Sequence, residues 1–185
     1  MLSFNPTSLS GVVYVGGIPN TAATKVLDPP PEPMLGPIIQ NTNVTLGLAG
    51  GAAWIDMSFN DASAVPWWYY VALLGSSASV PPAVIEKVAG RVQDATALKT
   101  VGATGLPALV IHGTRDKLVN NAAVAEVVRE NFKNTEVWNI EGGSHTVFWE
   151  HESQFVDALS RFAKKVRPWT VDDDSCWQPC GLLTQ

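Results

Sequence analysis

The chain has 185 residues, 46% apolar and 16% charged, a balance that suits one folded domain and excludes a disordered or fibrous polypeptide. Its formal net charge of −5, with no run of lysine or arginine, argues against nucleic acid as a partner. No apolar stretch approaches the roughly 18 residues that a membrane span needs. The opening residues Met1–Ser8 lack the basic start and apolar core of a signal peptide. The chain is therefore expected to open directly into folded sequence, with the cytoplasm as the default compartment.

The first element is the run Ser10 to Pro19, apolar and β-branched, closed by Gly16, Gly17 and Pro19. Continuous apolar character bounded by glycine and proline predicts a strand from Gly11 to Val15, buried in a parallel sheet. An N-terminal edge strand of some other fold is the competing reading. From Asn20 to about Thr104 the periodicity weakens. Pro29, Pro30, Pro31, Pro33 and Pro37 forbid continuous helix or central strand in the first part. Trp54, Trp67, Trp68, Tyr69 and Tyr70 then concentrate aromatic surface, which either lines a pocket or packs this region onto a core. Pro81 and Pro82 open a short helix with Ile85, Val88, Ala89 and Val92 along one face.

The densest patterning runs from Gly105 to Val166. Ala108 to Ile111 reads as a strand buried on both faces, ending in the turn Gly113-Thr114-Arg115-Asp116. Val119 to Phe132 is an amphipathic helix with Val124, Val127 and Val128 as its stripe and Asn120 or Asn121 as its cap. Thr135 to Ile140 is the next strand, followed by a Gly142-Gly143 turn and His145. Glu150 to Val166 is the last helix, with Phe155, Val156, Leu159, Phe162, Ala163 and Val166 on one face and Lys164, Lys165 and Arg167 at its C-terminal end. The tail from Pro168 carries Asp172, Asp173 and Asp174 and both cysteines, with no period.

Asp116 and His145 thus occupy corresponding ends of consecutive strands, about 30 residues apart, which is one βαβ unit. A carboxylate just past a strand sits at the edge where open α/β sheets build their sites. An imidazole can take a proton from a hydroxyl near neutral pH and return it later. A buried carboxylate on its far ring nitrogen fixes the tautomer and stabilises the imidazolium. The plain alternative is that Asp116 caps the following helix and His145 is a loop residue. His112, inside the apolar strand, reads as a satisfied core residue, and His151, in the first turn of the last helix, as a solvated neighbour. No cofactor motif is present. Cys176 and Cys180, four positions apart without further His or Cys ligands, make a poor zinc site; a local disulfide or two free thiols both remain open.

From Leu106 to Val166 these residues resemble the last third of the α/β-hydrolase fold, in which the triad acid follows one strand and the triad histidine the next. The resemblance implies an α/β fold of parallel strands with flanking helices and a helical cap insertion. Residues 1–19 would be a core strand (the sixth of the family), 20–104 the cap, 105–167 the C-terminal core and 168–185 an irregular tail. It also implies Asp116 and His145 as catalytic residues, Leu118 and Thr146 near the substrate, and a small ester-like or acyl substrate with no metal or cofactor.

A nucleophile on a Gly-x-Ser-x-Gly turn is also required, and no such pentapeptide occurs. The nearest approach, Gly75-Ser76-Ser77-Ala78-Ser79, lies about 40 residues before Asp116, where two crossovers of about 30 residues each would have to fit. Ser79 replaces the last glycine, so Ser77 is a poor nucleophile candidate. The oxyanion donors would come from the same upstream elements. Two readings follow: a serine-type hydrolase of which this chain carries only the acid and the histidine, or an inactive, truncated hydrolase acting as a binding module or having no independent role. The first would need the missing N-terminal part of the domain as a partner, and the strand at Gly11 to Val15 would have an open inner edge to receive it.

Overall fold

Three strands form: β1 (Val12–Val15) and β2 (Pro107–Gly113) from β-branched and apolar runs without charge, and β3 (Asn134–Ile140) from a more polar run that includes Glu136. In the computed structural model of the protein they pair in parallel in the order β1-β2-β3. Val12 to Val15 lie opposite Ala108 to Ile111, and Pro107 to Gly113 opposite Asn134 to Ile140. The structure describes residues 9–20, 43–89 and 91–167. The readings for Met1–Ser8, for the prolines at 29–37 and for the Cys176–Cys180 tail fall outside those residues.

The helices are α1 (Val44–Ser58), α2 (Trp67–Ser79), α3 (Pro82–Ala89), α4 (Thr96–Ala103), α5 (Asn121–Asn131), α6 (Val147–Glu150) and α7 (Glu152–Val166), with a 3-10 turn at Ala62–Ala64. The central strand shows why both faces must be covered. Ala108 and Val110 point to one side and join Val124, Val127, Val128 and Phe132 of the α5 region in one apolar cluster. Leu109 and Ile111 point to the other and join Ile140, Val147, Ala158 and Phe162, the last two from α7. Period-2 alternation on the strand meets period-3.6 stripes on two helices, which is a three-layer α/β arrangement.

α5 starts where its cap dictates. Asn120 accepts from the Ala123 N–H at 3.1 Å, so the helix runs from Asn121 rather than from Val119, and Phe132 closes it in extended conformation. A third apolar cluster, Ile55, Phe59 and Val65 with Tyr69, Leu73 and Leu74 against it, holds α1 to α2. Trp54, Ala53 and Met57 of α1 pack against the α5-side core, so the helical segment is seated on the sheet layer. No helix among the described residues is long and apolar enough to cross a membrane.

Four expectations need correction. β1 is only partly buried, because β2 is its one neighbour among the described residues and its outer edge is open. The last helix is broken: His151, at φ −129° and ψ 47°, separates α6 from α7, so it lies at a junction and not in a first helical turn. α3 ends at Ala89 and its intended stripe is largely exposed at Val88, while Val92 lies beyond it. Helical spacing marks a face that can be buried, and here, among the described residues, only Ile85 of that face is partly covered, beside Leu48 and Leu74. The aromatic group divides: Tyr69 stacks on Trp149 at 4.2 Å and meets Phe59 edge-on, whereas Trp67 and Trp68 face outward.

The central strand should dominate stability. Ile111 is fully enclosed between β2's neighbours and α7. Ile111→Ala is expected to cost about 2–5 kcal/mol by urea titration, with an unchanged m-value, the range for truncating a buried aliphatic side chain.

Candidate functional site

The three strands deliver their C-terminal ends to one place. After Gly113 the chain turns tightly, with the Asp116 N–H donating to the Gly113 carbonyl at 3.3 Å. Asp116 Oδ1 then accepts from the Leu118 and Val119 N–H groups at 2.8 and 3.1 Å. This leaves Oδ2 for the next loop, where it lies 3.0 Å from His145 Nδ1. The Asp116 side chain is 0% exposed and the His145 side chain 23%. An ionised carboxylate only accepts, so Nδ1 carries the hydrogen and, in the neutral ring, Nε2 is the acceptor. Nε2 has no hydrogen-bond partner among the described residues.

Glycines make the approach of the loops possible. A Cβ on Gly113 would collide with the Gly143 carbonyl, so only a bare backbone fits where the β2 and β3 loops cross. Those loops are cross-bonded: Thr114 N–H to the Ile140 carbonyl at 3.1 Å, Arg115 N–H to that of Gly143 at 2.8 Å, and Gly142 N–H to Thr114 Oγ1 at 2.9 Å. At the end of β1, Gly16 has φ +52°, and a Cβ there would sit 3.2 Å from His145 Cε1 and Nδ1. A side chain at Gly16 would be strained and would press on the imidazole.

The remaining sequence candidates separate. Leu118 belongs to the apolar core below the Asp116 turn, and its N–H is used by Asp116. Thr146 is buried, with its N–H and its hydroxyl both donating to the Ser58 carbonyl at 3.2 and 2.9 Å. Both flank the pair in sequence, but their side chains are taken up by packing and hydrogen bonding. Ser77 is in the body of α2 against Gly51 of α1, not on a strand-to-helix turn. His112 is buried, with Nε2 at 2.5 Å from Asn139 Oδ1. It lines an open cleft of about 570 Å³ with Thr114, Asn121, Arg129 and Asn139. Burial pushes its pKa below the ordinary histidine value, against the opposing effect of the Asn139 contact. Among the described residues no three His, Cys, Asp or Glu side chains are grouped to hold a metal ion.

Sequence reasoning missed the residues that hold the histidine loop from outside. Glu150 Oε1 accepts from the Asn60 N–H at 2.7 Å, and Oε2 accepts from Asn60 Nδ2 at 2.8 Å and from the Ser144 N–H at 3.1 Å. Asn60 Nδ2 also donates to the Gly142 carbonyl at 2.7 Å, and Ser144 Oγ to the Ser58 carbonyl at 2.8 Å. Some 90 positions separate these partners, and no local pattern announces them.

A scan against protein-family models matches nothing, and a search of curated proteins also matches nothing. Solved structures do match. A candidate aryl esterase from Burkholderia cenocepacia gives a TM-score of 0.71 at 20% identity, over 85% of this chain and 56% of that one. An esterase from Rhodococcus gives 0.70 at 21% identity, again over 85% and 56%. A bromoperoxidase from Bacillus anthracis gives 0.63 at 21% identity, over 83% and 58%. The chain has a partial α/β-hydrolase fold, corresponding to the C-terminal portion, and spans little more than half the length of these structures.

His112 gives this region a pH signature. Its folded pKa lies below the unfolded value of about 6.5, so between the two the unfolded chain binds the extra proton. The stability it contributes is present in full above the unfolded value and is lost as pH falls through the depressed folded one. His112→Leu is expected to flatten the loss of stability between about pH 7 and about pH 5, read by urea midpoints at each pH. Identical slopes in the two proteins would refute it.

Proposed function

We propose that this chain carries the acid–base part of a serine-type hydrolase acting on small carboxylic esters or related acyl compounds. The observation that supports it is the asymmetry of one pair: a fully buried Asp116 on Nδ1 of a His145 that remains partly exposed, with Nε2 unpartnered among the described residues. In this reading Asp116 holds the tautomer that leaves Nε2 basic and stabilises the imidazolium as it forms. Nε2 takes the proton of a hydroxyl nucleophile as that oxygen attacks the acyl carbon. The imidazolium then protonates the departing alcohol, and water repeats the cycle on the acyl intermediate. The esterases matched in fold favour an ester-like substrate. Helices α1 to α4 would serve as the cap, with Leu118 and Thr146 shaping the floor through their backbone.

The nucleophile and the oxyanion donors are not among the described residues that surround His145. They would come from a polypeptide segment carrying the remaining strands, seated along the open edge of β1. Parallel pairing there would bring that segment's strand end beside Gly16, and Gly16 touches the His145 ring. If no such segment joins it, the second reading holds: a hydrolase-derived module without turnover. What favours that alternative is that the sequence has no Gly-x-Ser-x-Gly turn.

The chain alone is expected to show no hydrolysis of an aryl ester above background and no labelling by a fluorophosphonate. A longer in-frame product carrying a Gly-x-Ser-x-Gly turn is expected to turn over, with His145→Ala lowering kcat/KM by about 10³-fold or more. Turnover of the longer product that is indifferent to His145→Ala would sink the assignment. Turnover of the chain alone that disappears in Ser77→Ala would restore Ser77 as nucleophile.

A further inference from the structure

We infer that Glu150 is a positioning residue for His145, acting with Asn60 through the backbone on either side of the histidine; this rests on the acid–base reading above. His145 meets Asp116 only through its ring, so the direction of that ring is set by where its backbone is held. Besides the bonds to the β2 loop, three anchors reach it from the end of α1 and from α6. Gly142 is fixed by Asn60 Nδ2, Ser144 by the Glu150 carboxylate, and Thr146 by the Ser58 carbonyl. Two of the three pass through the Glu150–Asn60 contact, in which one carboxylate meets a backbone N–H and a side-chain amide at 2.7 and 2.8 Å. Hydrogen bonds to an ionised acceptor are shorter and roughly twice as strong as neutral ones.

The far side of the clasp is one tripeptide. Ser58 ends α1 and Phe59 and Asn60 follow it, and the middle carbonyl accepts from Lys117 Nζ at 3.2 Å, next to Asp116. The same three residues therefore touch the acid's loop and the histidine's loop. Tyr69 stacked on Trp149 ties α2 to the residue before Glu150. Glu150 also ends α6 just before the break at His151. Its carboxylate is turned back to Ser144 and Asn60, so the break places it where the clasp needs it. Displacing the end of α1 would thus move His145 relative to Asp116 without any change in either residue.

The test is NMR on the purified chain, following solvent exchange of the His145 Nδ1 proton together with urea midpoints. Glu150→Gln and Asn60→Ala are each expected to speed that exchange on the order of tenfold, the scale of one charge-assisted hydrogen bond lost. The double variant is expected to exceed each single variant but to fall short of the product of the two, since Asn60→Ala removes the Gly142 anchor, Glu150→Gln weakens the Ser144 anchor, and only the side-chain contact between them is shared. Ser63→Ala, whose hydroxyl bonds to Asp61 in the same segment, is expected to leave exchange unchanged. Exchange in Glu150→Gln and Asn60→Ala that matches the parent would overturn the inference and leave the acid–base reading standing. So would exchange that merely tracks the urea midpoint across all the variants. An Nδ1 proton already unprotected in the parent would instead overturn the Asp116–His145 pairing itself.

Discussion

The burial of the Asp116 carboxylate is the constraint on which the rest of this structure depends. A charge withdrawn from water costs several kcal/mol unless donors surround it. Asp116 recovers the loss through two backbone N–H groups of its own turn and the Nδ1 hydrogen of His145. The first two require the tight turn after Gly113. The third requires the β3 loop to lie against that turn, which only unsubstituted backbone at Gly113 permits. The sheet register then follows, because Gly113 opposite Ile140 places the two loops side by side. One desolvated carboxylate thereby links the turn, the loop crossing and the strand pairing.

Parallel pairing has a second consequence. All three strand ends point the same way, so Gly16, Asp116 and His145 converge although each belongs to a different strand. The helical segment is locked to this edge at Ser58 to Asn60, and its own cluster around Phe59 and Tyr69 extends the lock outward. Polar contacts fix position here while apolar clusters supply the burial.

Much of this was legible in the sequence, for identifiable reasons. β2 and α5 announced themselves through patterns that burial imposes locally: an unbroken apolar run, and a valine stripe at helical spacing behind an asparagine cap. Asp116 and His145 were legible because each follows such an element at a glycine turn. The burial of β1 was not, since it depends on a neighbour that a sequence run cannot specify. The break at His151 was hidden for a related reason. Glu150 has the helix propensity expected of the start of α7, and what turns it back is Asn60, 90 positions away. Leu118 and Thr146 were expected near a substrate because they flank the pair; the structure gives their side chains packing and hydrogen-bond partners of their own.

A buried Asp–His pair can exist for stability alone, and the two roles predict different surroundings. A structural pair gains most when both partners are enclosed and every ring nitrogen is satisfied, because an orphaned polar atom in the interior forfeits what the pair contributes. His112 comes nearer to that pattern: it is buried, its Nε2 is bonded to Asn139, and burial favours its neutral form. His145 does not. One nitrogen is anchored on a carboxylate fully withdrawn from solvent, while the ring stays open enough for the other to meet a group from outside. Two histidines at the ends of adjacent strands thus have opposite environments. The difference lies in what carries them: His112 is still within the ladder, under α5, while His145 stands on a loop bonded on both sides of it. A loop held that firmly, for a side chain left that accessible, is what sets His145 apart from His112 and what the proposed proton transfer would use.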